Sequence, residues 1–233
     1  MNAMNRSGKR FENAKAILFY MDGGGGHPVI QKGRMDLLQP YIDKGVGFVN
    51  AHYAVEYPGE KNAVVKKTIL GWLGGYYETG WSINPHWSAD LKELPKHPIT
   101  NGVKVFNLKD EWYYNMRWCD EMKNVTPILK ATPPDNTRGT PEAKAHPGRE
   151  EIMAWAFERA DGGRSFGFTG GHVHNNWANE DYRRLMVNAI LWSAKIDVPA
   201  EGAKVVMDPS DIKRNLDWKG KGPKPEPKKP EAK

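Results

Sequence analysis

The chain has 233 residues and a formal net charge of +6, a length that fits one domain with a sizeable core. Residues 218–233 hold six lysines against two glutamates, so this tail carries most of the excess positive charge. Without basic and aromatic residues interleaved on one element, this distribution argues against a specific nucleic-acid-binding face. The single cysteine excludes an internal disulfide and a cysteine-based zinc site, and no apolar run reaches the ~18 residues of a membrane span.

The first half of the chain predicts alternating strands and helices. Residues 15–21 form a continuous apolar run, which is typical of a buried parallel strand. Apolar residues with helical spacing follow over 29–44, a second strand is predicted over 46–51, and a second helix over 60–73. This β-α-β-α order with short connections predicts an α/β fold with a mostly parallel sheet.

The second half is less regular. Between residues 74 and 120 the chain is aromatic, polar and rich in turn residues, with at most a short strand over 103–106. The polar loop over 132–149 has a length that is often functional. The other predicted elements are a strand over 125–131, a hairpin of strands over 152–158 and 165–168, and a helix over 179–194.

We therefore expect three parts in the chain. Residues 1–14 are polar and are predicted to be a disordered or linker segment, and residues 15–200 form the domain. Residues 201–233 form an exit segment and a tail rich in lysine and proline. Because this tail has too few apolar residues to bury, it is predicted to be disordered.

Two predicted strands each deliver a histidine to the point where they end. His52 follows the second strand, and His172 follows the last strand after three small residues. Ligands collect at the carboxyl ends of strands in an open α/β sheet, so both imidazoles are expected at one site. The segment around His52 has half the spacing of a nucleophile elbow, with histidine in place of serine or cysteine. His52 is therefore an acid, a base or a metal ligand, or alternatively a hydrogen-bonded histidine at the sheet edge.

A metal site made of histidines is one interpretation of this pattern. His172 and His174 are two residues apart, so both face one side if the strand continues that far. With His27 and His52 they form a ligand set for zinc or another divalent metal. The alternative is that one of the pair points inward as a general base while the other is solvated.

Acidic and aromatic residues provide further candidates. Asp110 and Glu111 precede a tryptophan, and a carboxyl group beside an indole can have a raised pKa and act as a proton carrier. The alternative is a pair of solvated loop acids, which fits Asp110 slightly better than Glu111. The nine tryptophans indicate either core packing or stacking on sugar rings. The candidates for lining a substrate pocket are Trp81, His86, Tyr113 and Trp177.

Seven short motifs follow one another between residues 15 and 200. They are Phe19–Asp22, Phe48–Ala54, Gly74–Tyr76, His97–Gly102, Asp110–Tyr113, Gly167–His172 and Arg183–Trp192. Their order and spacing resemble the ThuA-like family of the class I glutamine amidotransferase-like superfamily, which is linked to the use of trehalose and related sugars. The resemblance implies a flavodoxin-like three-layer sandwich.

The chain departs from this pattern in its chemistry. Amidotransferases of the superfamily use a cysteine at the elbow and a histidine followed two residues later by glutamate. The matching positions here are His52, His172 and His174. The nucleophile is absent and the third member of the triad is changed, so the resemblance implies no glutaminase activity.

The chain also departs from the family at its start. Family members begin with a β-α-β unit ahead of the equivalent of Lys15, and only 14 polar residues precede it here. Either the reading frame is truncated or a partner supplies the unit, and an exposed sheet edge would favour a homo-oligomer. No signal peptide is visible, but a truncated start would have removed it, so the compartment stays open.

The lead hypothesis is a carbohydrate-metabolism enzyme, an isomerase or lyase that acts on a keto-sugar or an oxidised disaccharide. His52 and His172 act as base and acid, with or without a bound metal, and Glu111 is a second proton carrier. A small carbohydrate is the expected ligand. The alternatives are a noncatalytic carbohydrate-binding module and a metal-dependent hydrolase.

Overall fold

The computed structural model describes residues 11–214. Its strands are β1 (Ala16–Tyr20), β2 (Gly47–Ala51), β3 (Gly75–Tyr76), β4 (Trp87–Asp90), β5 (Asn107–Asp110), β6 (Arg117–Trp118), β7 (Val125–Ala131), β8 (Glu151–Glu158) and β9 (Arg164–Phe168). Its α-helices are α1 (Arg34–Asp43), α2 (Ala63–Leu73), α3 (Pro141–Lys144) and α4 (Glu180–Ser193). Within this range no helix has the length and apolar composition needed to cross a membrane. The predicted disordered tail lies outside the described residues.

A five-stranded sheet with the order β1-β2-β9-β8-β7 forms the centre of the fold. Strands β1, β2 and β9 are parallel, as predicted, with Ala51 of β2 opposite Phe168 of β9. Strand β8 runs antiparallel to both of its neighbours. The short turn between β8 and β9 gives this direction, since a tight connection joins antiparallel strands. The predicted hairpin is confirmed.

Both faces of the sheet are covered by helices. Strand β2 is buried throughout, and its side chains alternate between the two sides. Phe48 lies in one core cluster with residues of α1 and α2, whereas Val49 lies in the other with residues of α4. Continuous apolar strands of this kind are typical of a sheet between two helical layers. The predicted three-layer α/β sandwich is confirmed.

Strand β1 lies at the edge of the sheet and pairs with β2 alone among the described strands. Ile17 and Phe19 are buried on the side of α1 and α2. Leu18, opposite Val49, faces the other side and is 44% exposed. The predictions of a missing first β-α-β unit and of a homo-oligomer stay predictions.

The irregular middle of the chain forms two small antiparallel sheets, β3 with β6 and β4 with β5. The short strand predicted over 103–106 is wrong in position, because β5 begins at Asn107, which pairs with Asp90. Residues 100–103 close a turn instead, with the Val103 amide donating to the Thr100 carbonyl at 3.1 Å. The shift matters because β5 delivers Asp110 and Glu111 to the site described below.

The glycine run after β1 allows two segments to approach closely. A Cβ atom on Gly23 would lie 1.9 Å from the carbonyl oxygen of Tyr53, which only glycine avoids. The amide of Gly24 donates to the carbonyl of Glu56 at 3.0 Å. The glycine run therefore packs the segment that follows β1 directly against the segment that follows β2.

His27, at the end of this run, is a buried structural residue. Its Nε2 donates to the Ala54 carbonyl at 3.0 Å, and its Nδ1 accepts from the Val29 amide at 3.1 Å. Its ring stacks on Tyr57 with centroids 4.1 Å apart. Both nitrogens are thus occupied in the neutral ring. Burial lowers the pKa of His27 to about 4, against the opposing effect of the Ala54 hydrogen bond.

This lowered pKa predicts a pH-dependent loss of stability. The unfolded histidine takes up a proton near pH 6.5 and the folded one near pH 4, so stability is complete above pH 6.5 and falls as the pH drops to 4. The difference in pKa corresponds to about 3 kcal/mol. Urea unfolding between pH 7 and pH 4 should show this extra loss in the wild type relative to His27→Gln. Parallel pH profiles for the two proteins would contradict the assignment.

Candidate active site at the carboxyl ends of strands β2 and β9

His52 is the first residue after β2 and adopts an unusual backbone conformation. Its φ is +53°, in the left-handed region that non-glycine residues rarely occupy. A short 3-10 helix, His52–Val55, follows directly. The chain therefore turns sharply at this residue, as at a nucleophile elbow, and strain of this kind clusters at functional sites.

The His52 ring has a defined orientation. Its Nδ1 lies 3.2 Å from the carbonyl oxygen of Thr169, the first residue after β9. Because a carbonyl oxygen only accepts, the proton lies on Nδ1 and the lone pair of Nε2 points away from Thr169. Burial lowers the pKa of His52, against the smaller raising effects of the Thr169 hydrogen bond and of Glu111. The ring is therefore neutral near neutral pH, with Nε2 free to accept.

Glu111, directly after β5, places its carboxylate in front of His52. One oxygen, Oε1, accepts a hydrogen bond from the side-chain amide of Asn84 at 3.0 Å. The other, Oε2, lies 3.5 Å from Nε2 of His52 and 2.8 Å from Nδ1 of His172. One oxygen is thus fixed by a neighbour, and the other is turned toward the two imidazoles.

His172 completes the cluster from the turn after β9. Its Nδ1 lies 3.3 Å from Nε2 of His52, and its ring is the most exposed of the three side chains. Gly171 makes this approach possible, because its φ is +113° and a Cβ atom there would lie 3.3 Å from Cβ of His52. The ring of His86 packs edge-on against His172, with centroids 4.8 Å apart.

The turn that carries His172 is held by the buried carboxylate of Asp110. This carboxylate accepts five hydrogen bonds between 2.8 and 3.0 Å, and its donors are the backbone amides of Glu111, Gly171 and Val173 and the side chains of Asn176 and Tyr182. Burial by itself would raise the pKa of Asp110, but the hydrogen bonds outweigh it and lower the pKa. The alternative of a solvated loop acid is therefore wrong for Asp110.

Two of the four predicted pocket residues lie at the cluster. The hydroxyl of Tyr113 is 3.5 Å from Nε2 of His52, and His86 contacts His172 as described. Trp177 lies further along the turn, where its ring packs on Tyr20 and Tyr182. Trp81 lies elsewhere, in a separate cavity of about 290 Å³ with the guanidinium of Arg117 over its ring.

The four-histidine metal set predicted from the sequence is not assembled. His27 is buried with both of its nitrogens occupied, one by the Ala54 carbonyl and the other by the Val29 amide. Nε2 of His174 contacts the carbonyl oxygen of Ile212 at 2.7 Å instead of the cluster. Among the described residues, the group with the spacing of metal ligands is His52, Glu111 and His172, whose ligand atoms all lie within 4.8 Å of one another.

The cluster holds two imidazoles, one carboxylate and a phenol. These groups accept and donate protons, and two of them have fixed orientations. Cys119 is not among them: it lines a different cavity of about 640 Å³ beside α2, and burial raises the pKa of its thiol. The arrangement supports proton transfer or cation binding better than covalent catalysis by a thiolate.

Three contacts that shape the candidate site are not predicted from the sequence. Asn84 holds the carboxylate of Glu111, the Thr169 carbonyl orients His52, and the hydroxyl of Tyr20 donates to the Gly171 carbonyl at 2.5 Å. Asn84 precedes a proline in a turn-rich segment, and a backbone carbonyl has no sequence signature. Of the three, only the contact of Tyr20 has a sequence signal, because this residue lies at the end of a predicted strand.

Comparison with known proteins agrees with this architecture. The ThuA family model, described as trehalose utilisation, matches residues 4–193. No significant match is found among curated proteins.

Solved structures show the same fold at low sequence identity. A putative ThuA-like protein from Bacteroides uniformis aligns with a TM-score of 0.57 and 17% identity, over 84% of this chain and 76% of that one. A second, from Parabacteroides merdae, gives 0.56 and 17% over 81% and 74%. A cytoplasmic protein from Salmonella typhimurium gives 0.52 and 13% over 83% and 75%. At these identities the likeness shows the fold alone.

Replacing Asp110 by asparagine should destabilise the protein. The amide retains one acceptor oxygen and turns an NH₂ group toward buried donors, so we expect a loss of roughly 3 kcal/mol in the free energy of unfolding. Urea unfolding measures this loss. The matched control is Asp90→Asn, at an exposed residue paired with Lys92, which should change stability by less than about 0.5 kcal/mol. Equal effects of the two substitutions would show that Asp110 does not hold the turn.

Proposed function

Because the chain belongs to the ThuA family, we propose that it acts in carbohydrate metabolism as an enzyme that moves protons on a keto-sugar. The reaction class is an isomerase or a lyase, and the substrate class is a keto-sugar or an oxidised disaccharide. The observation that carries the proposal is the meeting of His52, Glu111 and His172 at one sheet edge. A hydrogen on the carbon beside a carbonyl is acidic enough for groups of this kind to remove.

The geometry supports a distinct role for each member of the cluster. His52 is the base, because its neutral ring presents an unprotonated Nε2 in a fixed direction. His172 is the acid, because it is exposed to solvent and can be reprotonated there. Glu111 lies between the two rings and carries the proton from one to the other. Removing a proton on one carbon and returning it on another is the sequence that an isomerase needs.

Aromatic and polar residues around the cluster suit a sugar. The hydroxyl of Tyr113 faces the same space as Nε2 of His52, and burial raises the pKa of Tyr113, so this hydroxyl stays a donor. The exposed His86 ring offers a second donor next to His172. Hydrogen-bond donors beside a proton-transfer centre can contact the hydroxyl groups of a bound carbohydrate.

The proposal includes no glutaminase activity. His52 stands at the sharp turn where the amidotransferases of the resemblance carry their cysteine. His174 stands at the position of their glutamate and contacts Ile212 instead of the catalytic cluster. Hydrolysis of an amide through a covalent intermediate therefore has neither its nucleophile nor its orienting acid.

The test uses exchange of carbon-bound hydrogen in heavy water. Wild-type protein incubated with a keto-trehalose should incorporate deuterium at the carbon beside the carbonyl, as measured by NMR. His52→Asn and His172→Ala should each reduce the rate by roughly 10²–10⁴-fold. Asparagine is chosen at position 52 because it tolerates a positive φ.

His174→Ala is the matched control, since it removes an exposed histidine of the same turn and should leave the rate unchanged. Binding of the sugar in calorimetry without exchange in the wild type would favour the noncatalytic binding module. Exchange that is unaffected in both cluster variants would refute the proposed roles.

A further inference from the structure

The three atoms at the centre of the cluster have the spacing of ligands around one ion, and we propose that they hold a divalent cation for which Zn²⁺ is the probe. The atoms are Nε2 of His52, Oε2 of Glu111 and Nδ1 of His172, and their separations are 2.8, 3.3 and 3.5 Å. Ligands bound to tetrahedral zinc at ~2.0–2.2 Å lie about 3.3 Å apart. One ion can therefore contact all three with little movement.

The orientations of His52 and Glu111 each leave a lone pair pointing to the centre. Nδ1 of His52 is engaged by the Thr169 carbonyl, so Nε2 is the unprotonated nitrogen. Oε1 of Glu111 is engaged by Asn84, so Oε2 faces inward. Outer contacts of this type, a carbonyl behind an imidazole and a donor behind a carboxylate, accompany metal ligands.

A cation resolves an electrostatic conflict in the cluster. Nε2 of His52 and Oε2 of Glu111 are both acceptors, and they face each other at 3.5 Å. The single proton on Nδ1 of His172 can bond well to only one of them, and the shorter distance favours Glu111. A divalent ion satisfies all three atoms together, which a single proton does not.

The donor set also limits the class of ion. Two imidazoles and one carboxylate are ligands for zinc and similar borderline metals, whereas calcium and magnesium prefer oxygen atoms alone. His172 lies on the solvent side, so further coordination positions stay open to water or to a substrate oxygen. A structural zinc site would instead be closed by a fourth side chain.

The role of the ion in catalysis rests on the proposed function, which this inference deepens by naming a cofactor. The binding of the ion itself requires no substrate and can be measured separately. A divalent ion acts as a Lewis acid on a carbonyl oxygen. With the ion bound, His52, Glu111 and His172 would hold it as ligands, and the proton transfers proposed above describe the metal-free site. The loaded and free sites thus predict different behaviour toward a chelator.

The experiment measures Zn²⁺ binding to the full chain after removal of metal with a chelator. Isothermal titration calorimetry, with metal analysis of the dialysed protein, should give one ion per chain. His52→Asn, Glu111→Gln and His172→Ala should each weaken binding by more than about 100-fold, which exceeds the effect of removing a residue that only supports a ligand. Asn84→Leu, which removes the donor behind Glu111, should weaken it by roughly 10–100-fold. Circular dichroism confirms that each variant is folded.

His174→Ala is the control for adventitious binding to surface histidines and should bind as the wild type does. Absence of binding to the wild type, or equal weakening in His174→Ala, would overturn the proposal. Deuterium exchange in the chelated protein at the full rate would overturn the role of the ion as a cofactor, while leaving both ion binding and the proposed function intact. Stoichiometric binding without any exchange would uphold the ion and refute the proposed function.

Discussion

The candidate site depends on one buried carboxylate, that of Asp110. It accepts hydrogen bonds from the backbone on either side of His172 and from the amide of Glu111, so it fixes two of the three cluster residues. The hydroxyl of Tyr182 also donates a hydrogen bond to this carboxylate, which connects it to helix α4. Hydrogen bonds to a charged acceptor are strong, so together they stabilise the ionised form of this carboxyl group. A turn rich in glycine, which would otherwise be mobile, becomes a fixed support.

The third cluster residue is positioned by the sheet. Strands β2 and β9 are parallel neighbours in register at Ala51 and Phe168, so the residues that follow, His52 and Thr169, lie side by side. The carbonyl of Thr169 then orients the His52 ring, and the positive φ at His52 turns the chain away from the sheet. Two cluster residues thus follow strands of the central sheet, where an α/β sheet presents its ligand-binding groups, and Glu111 is added from the end of β5 in a separate small sheet.

Much of the fold follows from apolar runs that the sequence shows directly. Strands β1, β2, β8 and β9 and the long helices are predicted because their side chains are buried on one or both faces. The convergence of His52 and His172 follows from that prediction, since parallel strands end at one edge. The sequence misplaces strand β5 because the start of this strand is set by its pairing with β4, from Asn107 opposite Asp90, and the sequence does not show that partner.

The polar part of the site was harder to predict. The burial of an acidic residue has no direct signature in a sequence, so Asp110 stays open there between a proton carrier and a solvated loop acid, whereas five donors surround it in the structure. Trp81 shares a segment with histidine and glutamate, which predicts a pocket residue, but the structure places it in another cavity. The spacing of His174 predicts a shared face with His172, but the strand ends before it and a 3-10 helix begins there.

His52, Glu111 and His172 share one centre, and long-range nitrogen–proton correlation NMR of ¹⁵N-histidine-labelled protein, in the wild type and in Glu111→Gln, can show whether they do. We expect a proton on Nδ1 of His52, and shifts of the ring nitrogens of both His52 and His172 on loss of the carboxylate, with His27 and His174 unchanged. A proton on Nε2 of His52, or a spectrum in which either cluster histidine ignores the substitution, would contradict it.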